Sequence, residues 1–258
     1  VIGAIAGDII GSRFEGRSPP PEGFEPFHTD CRFTDDTVCT VAVAQALMGR
    51  RDVAETLRRF VRRHPHRGYG AMFRQWAFSD DAPAYGSFGN GAPMRVAAVG
   101  WLAETGEEAM RLAREQAAVS HDHPDAIAAS QAVAVAIFAL ARGEGSRAVG
   151  AMIAERFGYD LDADSAKGRR GVDATAAGTA PTALAIALDG ADWEDAVRTA
   201  VGLGGDTDTV GCITGAVAEA LQGVPADVEE AARARLTEDL LATLDAFEAL
   251  RRRSSRKA

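Results

Sequence analysis

The sequence predicts an all-α protein, and three features carry that prediction. Apolar, alanine-rich segments recur along 258 residues in which hydrophobic residues make up 47% and aromatics only 7%. Alanine favours helix, and the β-branched alternation that strands need is scarce. The segment 202–221, GLGGDTDTVGCITGAVAEAL, then sets Asp206 and Asp208 in a glycine-rich turn ahead of a nearly charge-free helical run. Small residues at close spacing (Gly211, Thr214, Gly215, Ala218) mark that run as one that packs tightly.

In chain order, residues 1–10 read as a short apolar helix interrupted by Gly7 and Asp8. Residues 16–32, with three consecutive prolines, read as a long surface loop of the kind that often forms a lid. Glu15 stands at the hinge between them and, taken alone, reads as a solvent-exposed glutamate. Helices are expected over 34–48 and over 51–63, the second with a basic, solvated outer face. After 71–78 comes the glycine turn 85–91, YGSFGNG, followed by a helix from Ala92-Pro93. Further helices are expected at 107–119, 124–142, 148–157, 178–188 and 193–201, with 161–171 irregular. One long helix over 226–251 precedes a basic, frayed tail at 252–258. No linker or fixed-period repeat divides the chain, so residues 1–258 read as one domain.

A net charge of −9 argues against general affinity for nucleic-acid backbones. Cys31, Cys39 and Cys212 lack C-x-x-C spacing and read as reduced thiols of a cytoplasmic protein. No signal peptide or membrane span is expected. His64 and His66 lack the partner residues and helical spacing that zinc requires. His121 and His123 read either as capping and packing residues or as cleft residues, with capping ahead for His123.

Two acidic clusters carry the chemistry. Thr34-Asp35-Asp36-Thr37 and Asp206-Thr207-Asp208-Thr209 each open an apolar helix, where an unneutralised carboxylate is costly. Either the acids cap those helices, or they hold a hard divalent cation through oxygen ligands. Capping accounts for one aspartate per cluster better than for two. The turn Gly86-Ser87-Phe88-Gly89-Asn90 frees backbone N–H groups for close approach to a phosphate or ribose, although ordinary tight turns look similar. Phe88 is a candidate for stacking on a base or for the core.

Together GDIIGSRFE (7–15), FTDDT (33–37), SFGNGAPMR (87–95), SHDHPDA (120–126) and GGDTDT (204–209) resemble the ADP-ribosylglycohydrolase family, in its order and spacing from Gly3 to about Pro225. That resemblance implies a compact all-α fold with a binuclear metal cleft at helix N-termini, holding two Mg2+ ions or, in some members, Mn2+. It implies Thr34, Asp35, Asp36, Asp206, Asp208 and Thr209 as ligands. It implies Gly86, Ser87, Phe88, Gly89 and Asn90 as the turn around ADP-ribose, with His121 and Gly70 beside it. Glu15 matches the glutamate that serves as general acid/base in the serine- and poly(ADP-ribose)-cleaving branch.

The implied activity is Mg-dependent hydrolysis of the ribosyl anomeric bond, by a cytoplasmic monomer acting on ADP-ribosylated proteins or small molecules. O-linked substrates (serine, poly-ADP-ribose, O-acetyl-ADP-ribose) lead, and arginine linkage follows. A non-catalytic ADP-ribose binder and a hydrolase acting at the pyrophosphate are the other readings.

Overall fold

Apolar spacing and capping place fourteen helices along residues 1–255, the part of the chain described by the computed structural model. They are α1 (Ile2–Gly11), α2 (Asp35–Gly49), α3 (Val53–Arg63), α4 (Ala71–Ala77), α5 (Ala97–Leu102), α6 (Gly106–Ala118) and α7 (Pro124–Leu140). There follow α8 (Ser146–Phe157), α9 (Ala163–Gly168), α10 (Ala176–Asp189), α11 (Trp193–Gly202), α12 (Thr207–Gln222), α13 (Ala226–Arg233) and α14 (Glu238–Ser255). Among the described residues the only β pairing is two isolated bridges, Gly89 with Thr175 and Val172 with Gly205.

Helices α1 and α12 form the axis of the core, and small residues let them touch backbone to backbone. A Cβ on Gly7 would stand 2.0 Å from the Gly211 carbonyl oxygen, and one on Gly3 would stand 2.3 Å from that of Gly215. Gly7 therefore does not interrupt α1, because removing its side chain is what lets the helices meet. Every residue of α1 is buried, as is α12 from Thr207 to Glu219. Helices α10, α11 and α7 pack around α12, α6 and α5 pack on α7, and α2 joins this group to α3 and α14.

Five sequence expectations change. The expected helix at 226–251 is two, because the chain turns after α13 to bring Leu240, Leu244 and Phe247 of α14 into the core. Arg235 holds the turn, donating to the Phe27 carbonyl at 2.6 Å. The irregular stretch 161–171 contains α9, capped by Asp162, which accepts from Ser165 N at 2.8 Å. The helix expected from Ala92 begins at Ala97, because Asn90, Met94 and Arg95 are drawn into tertiary hydrogen bonds instead. Arginines of α3 are more than a solvated face: Arg58 lies over the Trp76 ring at 4.4 Å and Arg62 donates to the Ala77 carbonyl at 2.8 Å, closing α4 onto α3. Of the tail expected to fray, residues up to 255 continue α14, and 256–258 lie outside the described residues.

Candidate active site

The turn before α12 sets the geometry. Gly204 and Gly205 adopt φ of +74° and +84°, and a Cβ on Gly205 would fall 2.3 Å from the Val172 carbonyl oxygen. Asp206 N donates to that carbonyl at 2.8 Å, and Thr207 Oγ1 donates to the Gly11 carbonyl at 2.8 Å. The head of α12 is thereby pinned to the tail of α1, beside the head of α2.

This brings the two acidic clusters together. Thr209 Oγ1 on α12 donates to Asp36 Oδ2 on α2 at 3.3 Å across 173 residues of sequence. Carboxylate oxygens of Asp8, Asp36 and Asp208 all lie within 4.8 Å of one another, and all three residues are buried. Asp8 accepts from Thr34 N at 3.0 Å and Thr37 N at 3.1 Å at the head of α2, but capping does not occupy the acids of the two clusters. Thr34, not an aspartate, caps α2 by accepting from Asp36 N at 3.3 Å. Asp206 sits at the N-cap of α12 with no side-chain cap bond, and its Oδ2 accepts from Asn90 Nδ2 at 2.7 Å.

Burial and mutual repulsion push the carboxyls of Asp35, Asp36 and Asp208 well above the ordinary range. Asp8 is raised by burial to about 6, against the hydrogen bonds it accepts from Thr37 and Thr34. None of these acids has a salt-bridge partner among the described residues. Asp36 Oδ1 is sealed from solvent without a hydrogen-bond partner. Buried charges of one sign and an orphaned oxygen, all hard donors, are the chemistry of a divalent-cation site. The residues present fit such an ion.

The acids open onto a cavity of about 380 Å³, within the range of small-molecule sites. Glu15, Asp35, Asp36, Gly70, Ser87, Gly89, Asn90, His121, Asp206, Asp208 and Thr209 line it. Thr34, Gly86 and Phe88 do not. Thr34 Oγ1 donates to Asp8 Oδ1 at 2.7 Å behind the acids, Gly86 N donates to Asp122 at 2.6 Å, and the Phe88 ring is 55% exposed, edge-on to His123. Glu15 is exposed at the rim. Partial desolvation and then Asp206 raise its carboxyl above the ordinary value, with Arg32 opposing. His123 caps α7, its Nδ1 accepting from Asp125 N at 3.2 Å. His64 bonds Asp239 at 3.0 Å, away from any cluster of metal-ligand type.

Two contributors escaped the sequence reading. Asp8 accepts from both Thr34 and Thr37 and so ties the head of α2 to α1. Its signal was a lone acid inside the otherwise apolar IGAIAGDIIG. Arg95 lines the cavity although it is fully buried; it closes the SFGNGAPMR segment, which gave it no role of its own.

The sequence profile of the ADP-ribosylglycohydrolase family matches residues 1–257. The chain belongs to the ADP-ribosylglycohydrolase family. A curated relative, ADP-ribosylhydrolase ARH3 of Gallus gallus, is 27% identical over 183 residues, 56% of this chain. The match spans half the length of that relative. A solved structure described as an ADP-ribosylglycohydrolase-related protein complex superposes with a TM-score of 0.72 at 26% identity, covering 95% of each chain. The all-α architecture is thus shared with that solved structure along nearly its whole length. No helix among its described residues is long and apolar enough to cross a membrane.

Proposed function

We propose that this member of the ADP-ribosylglycohydrolase family cleaves the ribosyl anomeric bond of ADP-ribosylated substrates and releases ADP-ribose, acting as one domain over residues 1–258. The observation that carries this reading is the convergence of Asp36, Asp208 and Thr209 at the floor of the cavity. Thr34, Asp35, Asp36, Asp206, Asp208 and Thr209 would hold two divalent cations, Mg2+ or Mn2+. Such ions supply charge that orients the ribose oxygens and favours water as a nucleophile.

The chain's own residues do the rest. Gly70 and the turn formed by Gly86, Ser87, Phe88, Gly89 and Asn90 bind the ADP moiety, with His121 beside them. Asn90 also holds Asp206 by its side-chain amide. Glu15, at the rim with a raised carboxyl pKa, is placed to exchange a proton with the reacting groups. It takes a proton from the incoming water and returns one to the departing oxygen, so that one water is consumed and ADP-ribose is released with the acceptor, an alcohol from serine or polymer linkages and acetic acid from the ester. A carboxylate in this role favours O-linked substrates: serine, polymer or acetyl ester. Arginine-linked ADP-ribose is the second reading, because the same acids would serve it.

The reading places the protein in the cytoplasm as a monomer. Three buried free cysteines support the first part of that placement.

The test is a panel of serine-, arginine- and polymer-linked substrates and O-acetyl-ADP-ribose, with Mg2+ or EDTA and an Asp208→Ala control. Release of free ADP-ribose that is abolished by EDTA is expected. AMP as the product would move the reaction to the pyrophosphate, and tight binding without release would make the protein a binder.

A further inference from the structure

A second device in the cavity wall does not involve the acids. Arg95 is wholly buried, and its Nε donates to Gln116 Oε1 at 2.8 Å while Nη2 donates to the Gln116 carbonyl at 2.8 Å and to Ser120 Oγ at 3.0 Å. Gln116 Nε2 donates to the Ala92 carbonyl at 3.1 Å, which fixes its amide with the oxygen toward Arg95. Ser120 Oγ lies 2.8 Å from His121 Nδ1.

Arginine can only donate. Ser120 Oγ therefore accepts from Arg95 and keeps its own proton for the histidine. If Nδ1 carried the ring proton, two donors would converge on Ser120 Oγ and its hydroxyl proton would be left without an acceptor at a fully buried site. The favourable arrangement has Nδ1 accepting and the proton on Nε2. Among the described residues, the ring's one hydrogen bond is this one, through Nδ1. Nε2 faces the glycine turn: it lies 2.8 Å from the place of a Cβ on Gly91 and 3.8 Å from that on Gly89.

We propose that Arg95 and Ser120 are positioning residues that lock His121 in its neutral Nε2–H form, so that the ring presents one fixed donor to a ligand oxygen beside the Gly89–Gly91 turn. Burial, reinforced by Arg95, lowers the His121 pKa to about 3, so the ring stays neutral across the physiological range. The acceptor's identity, a phosphate or ribose oxygen of ADP-ribose, rests on the proposed function. The lock itself does not.

The experiment is long-range 1H–15N correlation of the imidazole nitrogens in the full chain at neutral pH, with the His121 signals assigned by a His121→Gln variant. The wild type is expected to show a single neutral Nε2–H form. An Nδ1–H form, an imidazolium or a mixture overturns the proposal. Ser120→Ala is expected to give mixed tautomers and to weaken ADP-ribose binding about tenfold, the net worth of one hydrogen bond. Ser120→Thr keeps the hydroxyl and is expected to restore both. An unchanged tautomer in Ser120→Ala also overturns the proposal. Should that variant not fold, the wild-type spectrum still decides. A locked tautomer in a protein that does not bind ADP-ribose would sink the ADP-ribose reading and leave the lock standing.

Discussion

Glu15 and Asp36 show how differently two carboxylates can be placed around one cavity. Asp36 is 2% exposed, with one oxygen sealed and unpartnered, so a cation is what would satisfy it. Glu15 stands at the rim, where a proton can come and go. Replacing Glu15 with Gln removes the proton exchange and little else. Turnover is expected to fall ~10²–10⁴-fold with ADP-ribose affinity kept, as read by kcat beside calorimetric Kd. Unchanged kcat would remove Glu15 from the proton-transfer role.

Helix contacts make the strongest demands on α1 and α12. A methyl group at position 7 would meet the Gly211 backbone, which has no side-chain freedom to yield. Gly7→Ala is therefore expected to destabilise by about 3 kcal/mol. Gly202→Ala, at the end of α11 with open space around the added carbon, is expected to be neutral or to stabilise by ~0.5–1 kcal/mol. Urea melts of the pair check both signs, and equal effects would refute the contact.

Helices α3 and α14 are tied differently, through Asp239. Burial opposes its ionisation, but hydrogen bonds from Thr237, His64 and Arg63 outweigh that and hold its pKa down to about 2. A depressed carboxyl contributes stability that is fully present above its unfolded value of 3.8 and is lost as pH falls toward 2. Asp239→Asn should cost about 1 kcal/mol at neutral pH, discounted because the site is partly solvated, and that difference should fade below about pH 4. Denaturation at several pH values reads it.

For the molecule as a whole, the acids are a junction between distant parts of the chain. Asp36 and Asp208 come from α2 and α12 and meet beside Asp8 of α1, so a cation held by the first two would tie distant parts of the sequence together. Adding Mg2+ at ~100 times its Kd is expected to raise the melting temperature by roughly 5–10 °C, the equivalent of about 2.7 kcal/mol. Asp36→Asn should abolish that rise. It should also melt higher than wild type in EDTA, because it removes one of several repelling buried charges. A metal-dependent shift that survives Asp36→Asn would show that the ion sits elsewhere.

The amino-acid order alone carries the helical class, the acid-headed starts of α2 and α12, and the family motifs, because alanine content, clustered acids and short-range spacing are local properties. It left open whether the acids cap helices or face one another, since that depends on how α1 meets α12. The packing of α1 on α12 settles it, through glycine contacts that no local pattern around Asp36 encodes. The same holds for Asp8, for Arg95 and for the turn between α13 and α14. Each is fixed by partners far away in sequence, so a local oddity such as the lone acid in α1 can flag a residue without saying what it meets.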